Sequence, residues 1–143
     1  MKKILILLIF TLFTINGANA TKIITTLEDG MVLKCEATKS SGSIKEYTTF
    51  TDYYEYKNGK IYSQNLSKMF GNPNHTKKVK NLKISNRSIS FKDRLYRGGA
   101  SHYKWVNINR ETGRYSYRAK KQYNWAWYCQ TARGTGKCTI FNE

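Results

Sequence analysis

His75 and His102 are the two histidines of this chain, and so its only imidazoles for proton transfer near neutral pH. Set beside a lysine or arginine that holds a phosphate, they would supply the acid and base of RNA cleavage. Their spacing gives no sign that they meet, and two exposed histidines without a shared role are the simpler reading. Glycoside hydrolysis needs two carboxyl groups flanking one bond. Between residue 56 and Glu143 the only acids are Asp93 and Glu111, and Glu111 falls in an expected turn. There is no Gly-x-Ser-x-Gly segment and no phosphate-cradling glycine loop. Cys35, Cys129 and Cys138, with two distant histidines, match no zinc-ligand spacing, so neither metal nor cofactor is expected. The balance of residues points away from catalysis.

Charge is the more informative chemistry. The chain carries 25 Lys and Arg against 9 Asp and Glu. The excess is lopsided: residues 21–72 hold 7 basic and 6 acidic side chains, whereas residues 73–143 hold 16 and 3. That exceeds what solubility requires and suits an anionic partner. Lys77, Lys78, Lys80, Arg94, Arg97, Lys104, Arg110, Arg114, Arg118, Lys120 and Lys121 are the expected binding residues, with Lys83 and Arg87 beside them. Aromatics run among these cations, as in surfaces that neutralise a polyanion and stack on its rings. Tyr115, Tyr117, Trp125 and Trp127 are the available platforms, although alternating Tyr and Trp in a β-protein more commonly form its core.

The N-terminus suggests where such a partner would be met. Lys2 and Lys3 precede an apolar run over residues 4–15, and Ala18 and Ala20 offer small residues to a signal peptidase. The run is too short to span a bilayer. Residues 1–20 are therefore expected to be a cleaved signal peptide, releasing a soluble periplasmic or secreted monomer from Thr21 onward. An exported chain meets oxidising conditions, and three cysteines allow one bridge. Cys129 and Cys138 flank a turn-rich segment that would bring them together in a hairpin; a long-range bridge from Cys35 is the equal alternative.

The elements that must position these residues read as short strands separated by turns. Residues 21–27 and 31–37 form strands around Asp29-Gly30, and a polar loop follows at residues 39–43. Asn58-Gly59 is a strong type I′ hairpin signal between residues 46–57 and 60–64. A loop covers residues 65–75, and strands resume at 77–85, 88–92 and 103–109. Residues 105–118 read as a hairpin bulged at Gly113. In its second strand Tyr115, Tyr117 and Ala119 share one face, and Arg114, Ser116, Arg118 and Lys120 the other. A further strand is expected to run through residues 123–130. One all-β domain over residues 21–143 follows, an antiparallel meander of eight to ten strands closed as a barrel or folded as a sandwich. Its expected role is to bind an anionic envelope polymer, lipid phosphate or nucleic acid. An inhibitor or protein-interaction module is the alternative, and a small ribonuclease-like enzyme the third.

Overall fold

The computed structural model describes residues 24–44, 51–65, 76–97 and 99–141. The expected signal peptide, the cleavage point before Thr21 and His75 lie outside the described residues. Among the described residues nine strands follow in chain order: β1 (Val32–Gly42), β2 (Thr51–Lys57), β3 (Lys60–Ser63), β4 (Lys77–Lys78), β5 (Lys80–Ile84), β6 (Ser88–Arg97), β7 (Ala100–Asn109), β8 (Arg114–Tyr123) and β9 (Cys129–Phe141). They form one antiparallel sheet in the order β4-β3-β2-β1-β9-β8-β7-β6-β5. The two edges of that sheet, β4 and β5, are consecutive in the chain and separated by Val79 alone. A single bent run thus pairs first with β3 and then with β6. It draws the two edges together into a nearly closed barrel. Counting that run once leaves eight strand directions, and an even number is what allows the first and last strands to pair antiparallel. The all-β expectation is met, and the barrel is the form it takes.

Turn chemistry explains the hairpins. Asn58 and Gly59 adopt φ of 51° and 71°, the paired positive values of a type I′ turn. Gly113 at φ 66° closes the β7–β8 hairpin, where the Asn109 side chain accepts from the Glu111 and Thr112 amides. Alternation then sorts the faces. Ile89, Phe91 and Asp93 of β6, Lys104, Val106 and Ile108 of β7, and Tyr115, Tyr117 and Ala119 of β8 are buried inside. Leu33 and Cys35 of β1, Tyr54 of β2, and Ile61 of β3 complete the lining with Cys138 of β9. An eight-stranded barrel is just wide enough for such side chains to fill it. Tyr115 and Tyr117 are therefore core residues rather than platforms.

Several sequence expectations are corrected here. Residues 24–27 form no strand, although Ile24 is buried and its carbonyl accepts from Arg110 Nε at 3.0 Å. The polar segment 39–43 is no loop for most of its length, because β1 continues through it to Gly42 along β9. Residues 124–128 are a loop, not strand. The largest revision concerns residues 130–137, expected as a turn. They lie in the middle of β9, where Gly136 and Gly134 stand opposite Tyr115 and Tyr117. A Cβ on Gly134 would come within 2.6 Å of the Tyr117 ring, and one on Gly136 within 1.9 Å of the Glu36 carbonyl. These glycines serve close packing inside a strand.

The straight course of β9 also corrects the pairing of Cys129 with Cys138. Eight strand residues lie between them and hold them about 30 Å apart, far beyond the reach of a disulfide. Cys138 instead faces Cys35 in the β1–β9 register, and these two form the bridge. Cys129 keeps its thiol. A disulfide of this kind is consistent with an oxidising compartment.

Non-reducing peptide mapping should recover a Cys35–Cys138 peptide, with one titratable thiol at Cys129. Because the bridge closes a span of 103 residues, replacing both partners with serine should lower unfolding free energy by about 2 to 5 kcal/mol in urea titration. Gly136→Ala should lower the same quantity by about 1 to 3 kcal/mol through overpacking; an unchanged midpoint would show that the two strands can separate freely at that point.

Candidate functional site

Inside the barrel lies a polar cluster. Asp52 of β2 accepts from both the Lys104 ammonium of β7 and the Tyr115 hydroxyl of β8. Lys104 Nζ also sits 4.3 Å from the centre of the Tyr117 ring. Asp93 of β6 accepts from Ser63 Oγ at 2.8 Å and Asn65 Nδ2 at 3.3 Å, while Asn65 Oδ1 accepts from the Tyr53 amide at 2.6 Å. Burial pushes the Asp93 carboxyl above the ordinary carboxylate range, and the Asp52 charge adds to it against the hydrogen bond from Ser63. Burial likewise holds the Tyr115 hydroxyl protonated well above its ordinary range, with the Asp52 charge acting in the same sense. Asp52, Asp93 and Lys104 are at most 5% exposed. The cluster ties β2, β3, β6, β7 and β8 together across the interior.

The outer wall is where charge collects. Register pairs place Lys80 beside Lys92, Lys92 beside Trp105, Trp105 beside Arg118 and Arg118 beside Arg133. One rung of side chains therefore crosses five neighbouring strands, from β5 to β9, over about 19 Å. Arg94, Tyr103, Lys120 and Thr131 make a second rung alongside it. Lys92 Nζ lies 4.7 Å from the Tyr103 ring centre and 4.9 Å from that of Trp105, and the Arg94 guanidinium 5.3 Å from Tyr103. Trp105, Arg118, Lys120 and Arg133 border a shallow groove of about 720 Å³. In β4 to β9 the only acid is Asp93, and it points inward. Among the described residues, none of Lys80, Lys92, Arg94, Arg118, Lys120 or Arg133 belongs to an ion pair. Like charges directly opposite one another weaken a sheet. Lys80 against Lys92, and Arg118 against Arg133, are two such pairs on one rung.

Where the wall meets one end of the barrel, the β8–β9 loop displays Trp125 at 80% exposure, Trp127 fully exposed, and Tyr128. The Asn124 side-chain amide donates to Tyr96 Oη at 2.9 Å, and the Asn124 backbone amide donates to Gly99 O at 3.2 Å, so the loop is held against the β6–β7 turn. Trp125 and Trp127 remain available as platforms, in contrast to Tyr115 and Tyr117.

The expected binding residues divide accordingly. Arg94, Arg118 and Lys120 lie on the two rungs, and Lys77, Lys78 and Lys80 extend the surface across the β4–β5 seam beside Lys92, Arg94 and Tyr96. Arg114 is exposed farther along β8, opposite Lys137. Lys121 stands on the inward side of β8, half-buried, 5.2 Å from the Tyr123 ring centre. The Arg97 side chain lies outside the described residues. Two expectations are corrected. Lys104 is buried with Asp52 because its position in β7 has inward parity. Arg110 is a clamp, donating to the carbonyls of Ile24, Ser85 and Thr25. His102 is also buried, on the inner face of β7. Lys92, Tyr103, Trp105 and Arg133 were missed by sequence reasoning. Alternation of Lys92, Arg94 and Tyr96 was a usable signal, whereas Arg133 sat in what reads as a turn. Among the described residues no group of three His, Cys, Asp or Glu is arranged to hold a metal ion. No protein-family model, curated protein or solved structure matches this chain.

The elevated Asp93 value gives stability a definite pH dependence. The native state holds this proton more tightly than the unfolded chain does, so the contribution is full below the ordinary value of 3.8 and is lost as pH rises through the raised native value. Asp93→Asn stays neutral and its carbonyl can still accept from Ser63 and Asn65. Urea unfolding from acid to neutral pH should show the variant gaining on the wild type as pH increases. A constant difference would mean that Asp93 ionises normally.

Proposed function

We propose that the protein binds an anionic polymer along the outer wall of β5 to β9. The observation that carries this reading is the rung Lys80, Lys92, Trp105, Arg118 and Arg133, with its parallel neighbour Arg94, Tyr103 and Lys120. Sheet stability disfavours such a rung, since cations oppose cations with no carboxylate between them. A partner bringing negative charge at a regular repeat would relieve that repulsion and release its counterions. Trp105 and Tyr103 lie flush among the cations and add apolar contact to the same surface. The barrel supports the arrangement, since the filled interior fixes the five strands and hence the spacing of the charges. Export through a signal peptide would place this wall among anionic envelope polymers, and the disulfide agrees with that setting.

The test is affinity for inorganic polyphosphate and for heparin as salt is varied. The wild type should show log K falling steeply with log salt. Combined Lys92→Glu, Arg118→Glu and Arg133→Glu should weaken binding about a hundredfold at low salt and flatten the slope. The same number of reversals at Lys57, Lys60 and Lys34, on β1 to β3, should have a much smaller effect, with circular dichroism showing both variants folded. Equal losses from the two sets would show that net charge acts without a defined surface.

A further inference from the structure

We infer that the barrel end beside this wall holds a subsite for one ring of the polymer, and that the ring is an acidic pyranose sugar. The inference rests on the polyanion reading and names the class of polymer. The subsite is a pocket of about 670 Å³ between the β8–β9 loop and the wall, lined by Arg94, Tyr103, Gln122, Asn124, Trp125 and Trp127, among others. It opens directly onto the second rung, since Arg94 and Tyr103 belong to both. A polymer lying on the wall therefore passes the mouth of the pocket at Arg94 and Tyr103.

The lining selects the ligand. Ser101, Gln122 and Asn124 contribute a neutral hydroxyl and amide groups, which donate to and accept from hydroxyls without demanding charge. Arg94 supplies a cation suited to a carboxylate. Aromatic rings offer apolar faces to the C–H side of a sugar, leaving its hydroxyl edge to the amides. The Tyr123 and Trp125 rings offer a nucleobase no parallel sandwich. Sandwiching a flat base requires parallel rings about 7 Å apart, twice the ordinary carbon contact distance. The Tyr123 and Trp125 rings lie 5.4 Å apart at 49° to one another. Tilted faces around a mainly polar lining match a puckered, hydroxyl-rich ring. The loop is anchored through Asn124 to Tyr96 and Gly99, so its indoles are presented from a fixed base.

The experiment compares oligogalacturonate, inorganic polyphosphate and oligo-dT of matched charge, and anionic phospholipid vesicles, as ligands of the intact protein. Polyphosphate has no rings and reports on the wall alone. Trp125→Ala with Trp127→Ala should weaken oligogalacturonate binding about tenfold and leave polyphosphate affinity within about twofold. Trp125→Phe with Trp127→Phe should recover part of the loss, and galacturonate should perturb the indole NMR signals of both tryptophans. Both tryptophans are exposed, and an unchanged melting curve confirms that the variants fold. If polyphosphate binding persists and oligogalacturonate binding ignores the alanine changes, the subsite is wrong and the wall stands. A greater loss for oligo-dT than for oligogalacturonate overturns the sugar in favour of a base. Loss confined to anionic lipid vesicles overturns it in favour of a membrane surface. Failure of the wild type to bind any of the polyanions removes the wall and the subsite together.

Discussion

The antiparallel pairing of β1 with β9 joins the two ends of a meander, and the Cys35–Cys138 bridge sits within that pairing. Everything else about the molecule depends on this closure. Once the first and last strands are neighbours, each strand has an inside and an outside. The side-chain period of two then assigns every residue to one or the other. Tyr115 and Tyr117 go inward, and Tyr117 requires the glycine opposite it on β9, Gly134. Arg118 and Lys120, one position removed, go outward. A slip of one residue in any pairing would exchange the two sets.

The closed interior is unusual in holding ionised and ionisable groups among its aromatic and aliphatic side chains. Asp52 meets Lys104 and the Tyr115 hydroxyl, while Asp93 meets Ser63 and Asn65. Burying charge is costly unless partners replace the lost water, and these partners come from β3, β7, β8 and Asn65, each at least 28 residues from the carboxylate it serves. The cluster thereby specifies which strands come together, and it consumes a lysine and two acids that a surface reading would have counted outside. Removal of Asp93 from the exterior leaves β4 to β9 with no outward carboxylate. The interior arrangement and the charge of the wall are thus two sides of the same alternation.

Sequence reasoning worked where the signal is local. Asn58-Gly59 and Gly113 mark their turns because each requires a positive φ that few residues tolerate. The two faces of β8 could be read from Arg114 to Lys120 because alternation needs no knowledge of the neighbours. It failed where a distant partner decides. Gly134 and Gly136 resemble turn residues until Tyr117 and the Glu36 backbone are placed against them. Residues 124–128 alternate like a strand, yet the chain turns there to connect β8 with β9. Arg110 looks like any exposed cation until three carbonyls converge on it.

The amino-acid sequence by itself determined the β-class of the protein, its hairpin turns, its excess of positive charge in the second half, and the division of β8 into an aromatic face and a basic face. These follow from backbone preferences and a period of two, which act over a few residues. The tertiary structure alone decided the barrel closure, the partner of Cys138, the burial of Lys104 and the alignment of Lys80, Lys92, Trp105, Arg118 and Arg133 on one rung. Each of these depends on register between strands, and register is set by the collective packing of the interior rather than by any residue's near neighbours.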